Sequence, residues 1–357
     1  MVYHYVVNGT RLAASFGAAL LAATIYWLVF SAREQILHSN TDFSCFYRAG
    51  RMVLTGQGSE VYDLSAEQAF DAGLRPQIEN HGQPFYTFPY VFTPPSLALF
   101  TPLALLPYRT AETVCFLVNI AVLIGVPFVL SVELELGVVT TCASVLLPAF
   151  FPPVLMSLLR GQVSALILGA FALFFLCLRR NHPFAAGCWL AASLVKPQFT
   201  LVALLLLLVD REWEALKGFA VVAGCLLFLS FGLVGIRTSL MFPLAVANYT
   251  RLGFDLRGSV LGEHPDDMPN LRGLAYHLSS SSFGRATLTA FLSVLVIAAL
   301  VWLRRKLSLE ACFPLLIVTT LLVSPHTYSH DYVLLVAALP PALSLVRRYR
   351  GDDRCEA

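Results

Sequence analysis

Long runs of apolar residues dominate this 357-residue chain and leave few folds open to it. A helix needs about 20 mainly apolar residues to cross the bilayer core. Apolar runs recur near residues 11–34, 111–130, 138–158, 163–178, 184–195, 198–209, 217–236, 286–303, 309–323 and 331–346. Within hydrocarbon each backbone amide must find its partner inside the protein, so runs of this kind are read as helices. Hydrophobic residues make up 57% of the chain and charged ones only 13%, about half the charged share of a soluble domain. The expectation is an all-α polytopic membrane protein, a single integral membrane domain over residues 1–357 with about ten transmembrane helices.

The first run, Leu12 to Phe30, ends in Tyr-Trp-Leu-Val-Phe without the small residues of a cleavage site, so it reads as a retained helix. Lys196-Pro197 divides the two short runs at 184–195 and 198–209, either breaking one long helix or, as we favour, forming the tip of a hairpin. The formal net charge of +2 gives no basic surface suited to nucleic acid. Most of the eight cysteines (Cys115, Cys142, Cys177, Cys188, Cys225 and Cys312 among them) lie in apolar stretches, with no C-x-x-C pair, which speaks against a disulfide framework or zinc site. The sequence has no P-loop and no dinucleotide fingerprint, so a nucleotide-driven pump is disfavoured.

Basic residues cluster at Arg179-Arg180, Arg211 with Lys217, Arg304-Arg305-Lys306, and Arg347-Arg348 with Arg350 and Arg354. A ten-span count puts them all on one side, which is then cytoplasmic, together with a tail at 347–357. Two polar stretches, 35–110 and 237–285, face the opposite, extracytoplasmic side as loops. The apolar stretch Thr93 to Pro107 carries Pro94, Pro95, Pro102 and Pro107, which suits a helix lying on the membrane rather than crossing it. If it did cross, and 184–209 were one helix, sidedness would reverse between about 108 and 183, so charge alone leaves that choice open.

The residues able to carry chemistry sit in the outer segments. Asp42 follows the first span and precedes Phe46 to Leu54, an amphipathic stretch expected to lie on the membrane with Arg48 and Arg51 toward water or head groups. Aromatics and prolines alternate over Tyr86 to Pro95, a stiff surface at head-group level for a lipid-linked substrate. Lys196 lies between two apolar runs, where an ammonium is costly unless it pairs or reaches a watery cavity. With Arg160 and Arg272 it forms a set of outward cations suited to binding a phosphate. His326 and His330 are four apart in Ser324-Pro325-His326-Thr327-Tyr328-Ser329-His330-Asp331, a spacing that shares a helix face, although Pro325 argues against a regular helix there. His330 and Asp331 are candidates for holding a polar head group or for starting the last helix.

Taken in order, these pieces resemble glycosyltransferase family 87, polyprenol-phosphate-mannose-dependent mannosyltransferases and relatives of the GT-C superfamily. The resemblance rests on Thr41-Asp42-Phe43 with Tyr47-Arg48-Ala49-Gly50, Val61-Tyr62-Asp63, Phe92-Thr93-Pro94-Pro95, Arg160-Gly161-Gln162, Val195-Lys196-Pro197, Asn270-Leu271-Arg272-Gly273-Leu274 and Ser324-Pro325-His326. It implies a GT-C-like bundle with interfacial helices in the first outer loop, in a plasma membrane of bacterial type, with the active site extracytoplasmic. It further implies a polyprenyl-phosphate sugar as donor, a lipid or glycan as acceptor, Asp42 as the base, and a surface helix at Thr93 to Pro107. Lys196, Arg160 and Arg272 are then the donor's phosphate ligands, and Tyr47, Gln162, Asn270, His326 and His330 the substrate-binding residues.

The inventory also fits the chemistry. Inverting displacement from a phosphate leaving group needs one base and several cations rather than an acid, and the first loop lacks the D-x-D pair of metal-using relatives, so no metal or other cofactor is expected. The sugar, most simply mannose, and the acceptor are not written in these residues. The competing class is a secondary transporter or lipid-linked sugar flippase with Lys196 as coupling residue; against it stands the lack of a second, repeated helix break. A glycan ligase using lipid-pyrophosphate donors is a third reading.

Overall fold

The computed structural model describes residues 41–78, 87–249 and 264–352, together with isolated positions between 17 and 29. The run at 11–34 taken as the first span, the Tyr86 end of the aromatic stretch, part of the second outer loop and the end of the tail lie outside the described residues. The architecture is all-helical. The first outer loop holds α1 (Phe43–Leu54), α2 (Leu64–Leu74) and α3 (Leu97–Leu103). There follow α4 (Tyr108–Glu133), α5 (Val138–Leu146), α6 (Pro152–Leu159), α7 (Ser164–Arg179), α8 (Pro183–Ala192), α9 (Leu201–Val209), α10 (Trp213–Val234), α11 (Ile236–Tyr249), α12 (Leu271–Leu278), α13 (Ser282–Arg304), α14 (Leu309–Val323) and α15 (Leu335–Asp352).

Among the described residues four helical segments are long and apolar enough to cross a membrane: α4, α10, α13 and Ser329–Tyr349. A fifth is added if Val138–Phe150 and Pro152–Leu159, bent by 59°, count as one span. Pro148 and Pro152 account for the bend, with Phe151 forced to an extended conformation ahead of Pro152. The remaining apolar helices at 164–179, 183–195, 197–209 and 309–323 are shorter than a full span.

Lys196 leaves helical geometry (φ −126°, ψ 85°) between two short 3-10 turns, Ser193–Val195 and Pro197–Phe199. Phe184 and Gly187, near the start of α8, pack against Gly218 and Ala215 of α10. A Cβ on Gly187 would stand 1.8 Å from the carbonyl oxygen of Ala215, and one on Gly218 2.0 Å from that of Phe184, so small residues let the two backbones touch. Helix α9 then returns to the turn at Asp210-Arg211 from which α10 starts. Both arms therefore end at the same level, Lys196 is the tip between them, and Ser193 Oγ and Thr200 Oγ1 are bonded across it at 2.9 Å.

The stretch around α3 does not form a crossing helix. It runs as a 3-10 turn (Pro94–Ser96) and seven helical residues, packed beneath α1 where Gly50 lies against the carbonyl of Phe100. Leu99, Leu105 and Leu106 are exposed.

One expectation for α1 is overturned. Arg51 stays partly exposed, but Arg48 does not face water or head groups: it is fully buried. Its Nη1 meets Asp71 Oδ2 at 2.7 Å, its Nη2 meets Glu67 Oε1 at 3.3 Å, and Nη2 donates to the carbonyl of Phe88 at 2.6 Å. Glu67 and Asp71 lie four apart on α2 and so present one acidic face to α1. A buried guanidinium is tolerable only with such a full set of partners.

Two sets of polar residues mark opposite ends of the bundle. At one end Arg180 pairs with Glu133 at 2.6 Å, Arg179 with Glu310, Arg304 with Asp210 at 2.8 Å, and Arg347 donates to the carbonyl of Glu135. These residues close the ends of α4, α7, α9, α13 and α15. The opposite end gathers Asp42, the turn before α7, the Lys196 tip and the entry to α15.

Candidate active site

Asp42 stands at the start of α1, half-buried. Gln162 Nε2 donates to its Oδ2, and Gln162 is itself held by Asn119, whose Nδ2 donates to the Gln162 carbonyl at 3.1 Å. This contact depends on Gly161, which has φ +62°; a Cβ there would come 2.8 Å from the Cβ of Phe43. The backbone of the Arg160-Gly161-Gln162 turn thus docks directly onto the residue after Asp42. Thr41 is tied down as well, donating through Oγ1 to the buried Glu112 at 3.1 Å, and Arg109 pairs with the other Glu112 oxygen at 2.9 Å. Burial pushes the Asp42 carboxyl above its ordinary value; the Arg160 charge, the Gln162 hydrogen bond and Lys196 oppose that rise, and Asp331 adds to it.

Gly161→Ala is expected to cost about 1–3 kcal/mol of stability from the left-handed backbone and the Phe43 clash. Turnover should fall at least several-fold as Gln162 is displaced from Asp42. Thermal unfolding in detergent alongside an activity assay checks both; a variant as stable and active as the wild type would refute the docking role.

The Lys196 tip enters the same cluster. Its Nζ lies 2.6 Å from Asp331 Oδ1 and 3.3 Å from Ser164 Oγ, and Ser164 Oγ donates to the same carboxylate oxygen at 2.6 Å. The rings of Phe92 and Phe199 flank the ammonium, with centroids at 5.7 and 5.9 Å. Asp331 Oδ2 also accepts from the amide of Tyr328 at 3.2 Å, so one buried carboxylate caps the 3-10 turn Ser329–Leu334 and holds the lysine. His330 Nε2 is 3.5 Å from the same oxygen, and its Nδ1 is buried without a protein partner, as is Oε1 of Gln162.

The structure therefore brings Asp42, Gln162, Lys196 and His330 into one cluster, with Arg160 exposed at its edge and acting electrostatically on Asp42 and His330. Asn270 and Arg272 are tied to the segment Ser324–His326 that leads into it. Asn270 Nδ2 donates to the carbonyl of Ser324 at 2.8 Å while its Oδ1 caps α12 at Gly273, Arg272 Nη1 donates to the carbonyl of Pro325 at 2.9 Å, and Gln198 donates to the carbonyl of His326. Tyr47 stands apart: it is buried, and its hydroxyl donates to the carbonyl of Leu106 at 2.8 Å. His326 and His330 share no helix face, because the chain is irregular from Ser324 to Tyr328. Sequence reasoning overlooked Ser164 and Glu112 and did not pair Asp331 with Lys196. The signal for Asp331 was a carboxylate at the edge of an apolar span, which calls for a cation.

With this geometry in view, comparison with known families is decisive for the class. The family model described as Glycosyltransferase family 87 matches residues 90–325. The chain belongs to glycosyltransferase family 87. No curated protein and no solved structure matches significantly. The family 87 match takes in Arg160-Gly161-Gln162, Ser164, Lys196 and Asn270 to Arg272, whereas Asp42 precedes it and His326, His330 and Asp331 follow it. The protein is accordingly a membrane glycosyltransferase, which takes a sugar donor and an acceptor.

Proposed function

We propose that this family 87 enzyme transfers a hexose, most simply mannose, from a polyprenyl-phosphate sugar to a lipid or glycan acceptor on the extracytoplasmic face of the membrane. The observation that carries the reading is the single cluster in which four separate segments bring the half-buried Asp42 within electrostatic reach of Lys196 and Arg160. In this reading the shorter helices cross together with the longer ones, giving a GT-C-like bundle of about ten spans. The end rich in paired arginines is cytoplasmic by the positive-inside rule.

The step is an inverting displacement. Asp42 takes the proton of the acceptor hydroxyl, the acceptor oxygen attacks the anomeric carbon, and the bond from that carbon to the phosphate oxygen breaks with its electron pair going to the phosphate. The phosphodiester donor carries one negative charge and the released polyprenyl phosphate can carry two, so the proton gained by Asp42 balances the charge gained by the leaving group. Lys196, which is buried, and Arg160, with Arg272 beside them, stabilise that charge. Gln162 and His330, each with a buried atom lacking a protein partner, are the candidates for sugar hydroxyls.

The experiment is transfer of radiolabel from polyprenyl-phosphate-mannose to candidate acceptor lipids by reconstituted protein. Transfer is expected, and failure with every polyprenyl-phosphate sugar, or translocation without bond formation, would overturn the reading. The base must be ionised to act, so kcat/KM is expected to fall as pH drops through the Asp42 pKa, with an acidic limb above the ordinary carboxylate range. A rate flat across that range would remove Asp42 as base.

A further inference from the structure

We propose that Asp331 sets the charge the phosphate site accepts, and so selects a donor carrying one phosphate charge over a diphosphate-linked donor; this rests on the phosphate-donor reading above. The lysine proposed to hold the phosphate is not free. Its ammonium is buried and already 2.6 Å from the Asp331 carboxylate, and Ser164 locks the pair by donating to the same oxygen. Asp331 is fully buried, and its second oxygen is fixed by the amide of Tyr328. A carboxylate so mounted cannot swing away when a ligand enters.

Its effect on charge is direct. Lys196 and Arg160 act on this centre, and Asp331 cancels the charge of Lys196, so the positive charge facing the phosphate is one less than the cations alone would give. Asp42 is the same in every protein compared, so its charge does not alter the difference that Asp331 makes. Ser164 and the Tyr328 amide add no charge. Removing one positive charge weakens the hold on the two charges of a sugar diphosphate diester more than on the single charge of a phosphodiester. Because Lys196 and Asp331 are both buried, that difference of one charge is felt strongly.

The test compares two synthetic ligands with the same short prenyl chain and the same sugar, a prenyl phosphomannose and a prenyl diphosphomannose, binding to the full-length protein in detergent. The wild type is expected to prefer the phosphomannose. In Asp331→Asn the ratio of affinities should move at least tenfold toward the diphosphate compound. Ser164→Ala, which removes a hydroxyl but no charge, should move it little. If Asp331→Asn does not fold, Lys196→Met is compared with Lys196→Met/Asp331→Asn, where the same tenfold movement between the two is expected. An unchanged ratio in the comparison that folds, or an equal movement in Ser164→Ala, overturns the proposal. Failure of both ligands to bind the wild type would instead overturn the phosphate-donor reading itself.

Discussion

Asp42→Asn is expected to lower the rate of sugar transfer by about 10²- to 10⁴-fold, the range a positioned general base supplies, with little change in donor affinity. The substitution keeps the size of the side chain, and the surroundings can accept it. Gln162 now gives its amide nitrogen to Asp42 Oδ2 and leaves its own Oε1 buried without a protein partner. Rotation of the Gln162 amide would let Oε1 accept from the amide nitrogen that the substitution introduces, so the contact survives and only the base is lost. The donor's phosphate is assigned to Lys196 and Arg160, neither of which depends on the Asp42 charge for its place: Lys196 is held by Asp331 and Ser164. A fall in kcat with a steady donor Kd is therefore the signature. Label transfer under saturating donor, with donor binding measured separately, provides it. Equal turnover in the variant would exclude the base, and a parallel loss of binding would turn Asp42 into a donor ligand.

Much of the scaffold was legible because its signals are local. Apolar runs mark the helices, Lys196-Pro197 marks a break, and the prolines around Leu97–Leu103 identify a segment ill suited to a continuous span, whereas the bend at Pro152 inside the run 138–158 went unread. Asp42 and Lys196 stood out because a charged side chain beside an apolar run demands a reason, whereas Gln162 came in only with the family resemblance. The pairings were not legible. Lys196 and Asp331 are 135 residues apart, and Thr41 and Glu112 are 71 apart, so nothing local links them. Arg48 misled for a related reason: charge on an amphipathic helix is read as facing water, and that holds only when no acidic partners arrive from elsewhere. The number of spans stayed open because helices of 10–17 residues fall below the length at which composition alone implies crossing.

Arg48→Met is expected to destabilise the protein by about 3–5 kcal/mol, the usual result of removing one member of a buried ionic group. Arg48 is fully buried and serves two carboxylates and the Phe88 carbonyl at once. Methionine fills much of the volume but leaves Asp71 and Glu67 facing each other without a cation. Glu67 also accepts from the amide of Tyr90 at 2.9 Å, so the loss would loosen the aromatic stretch that leads to Phe92 and the Lys196 tip. The pH dependence follows from Glu67, whose carboxyl burial already pushes up to about 7 despite the arginine. A carboxyl with a raised pKa in the folded state binds more protons folded than unfolded, so its contribution to stability falls as pH rises from about 4.5 through that value. Without Arg48 the folded pKa rises further, and the variant should be most nearly restored near pH 5 and weakest above about pH 8. Replacing the acids as well, in Arg48→Met/Glu67→Gln/Asp71→Asn, should recover most of the lost stability, because neutral groups of the same shape leave no buried charge behind. Thermal unfolding of the three proteins in detergent across that pH range checks the argument. A single variant as stable as the wild type at about pH 8 would mean that Arg48 carries no net weight in holding α1. In that case the placement of Asp42 rests on Gln162 and Glu112 alone.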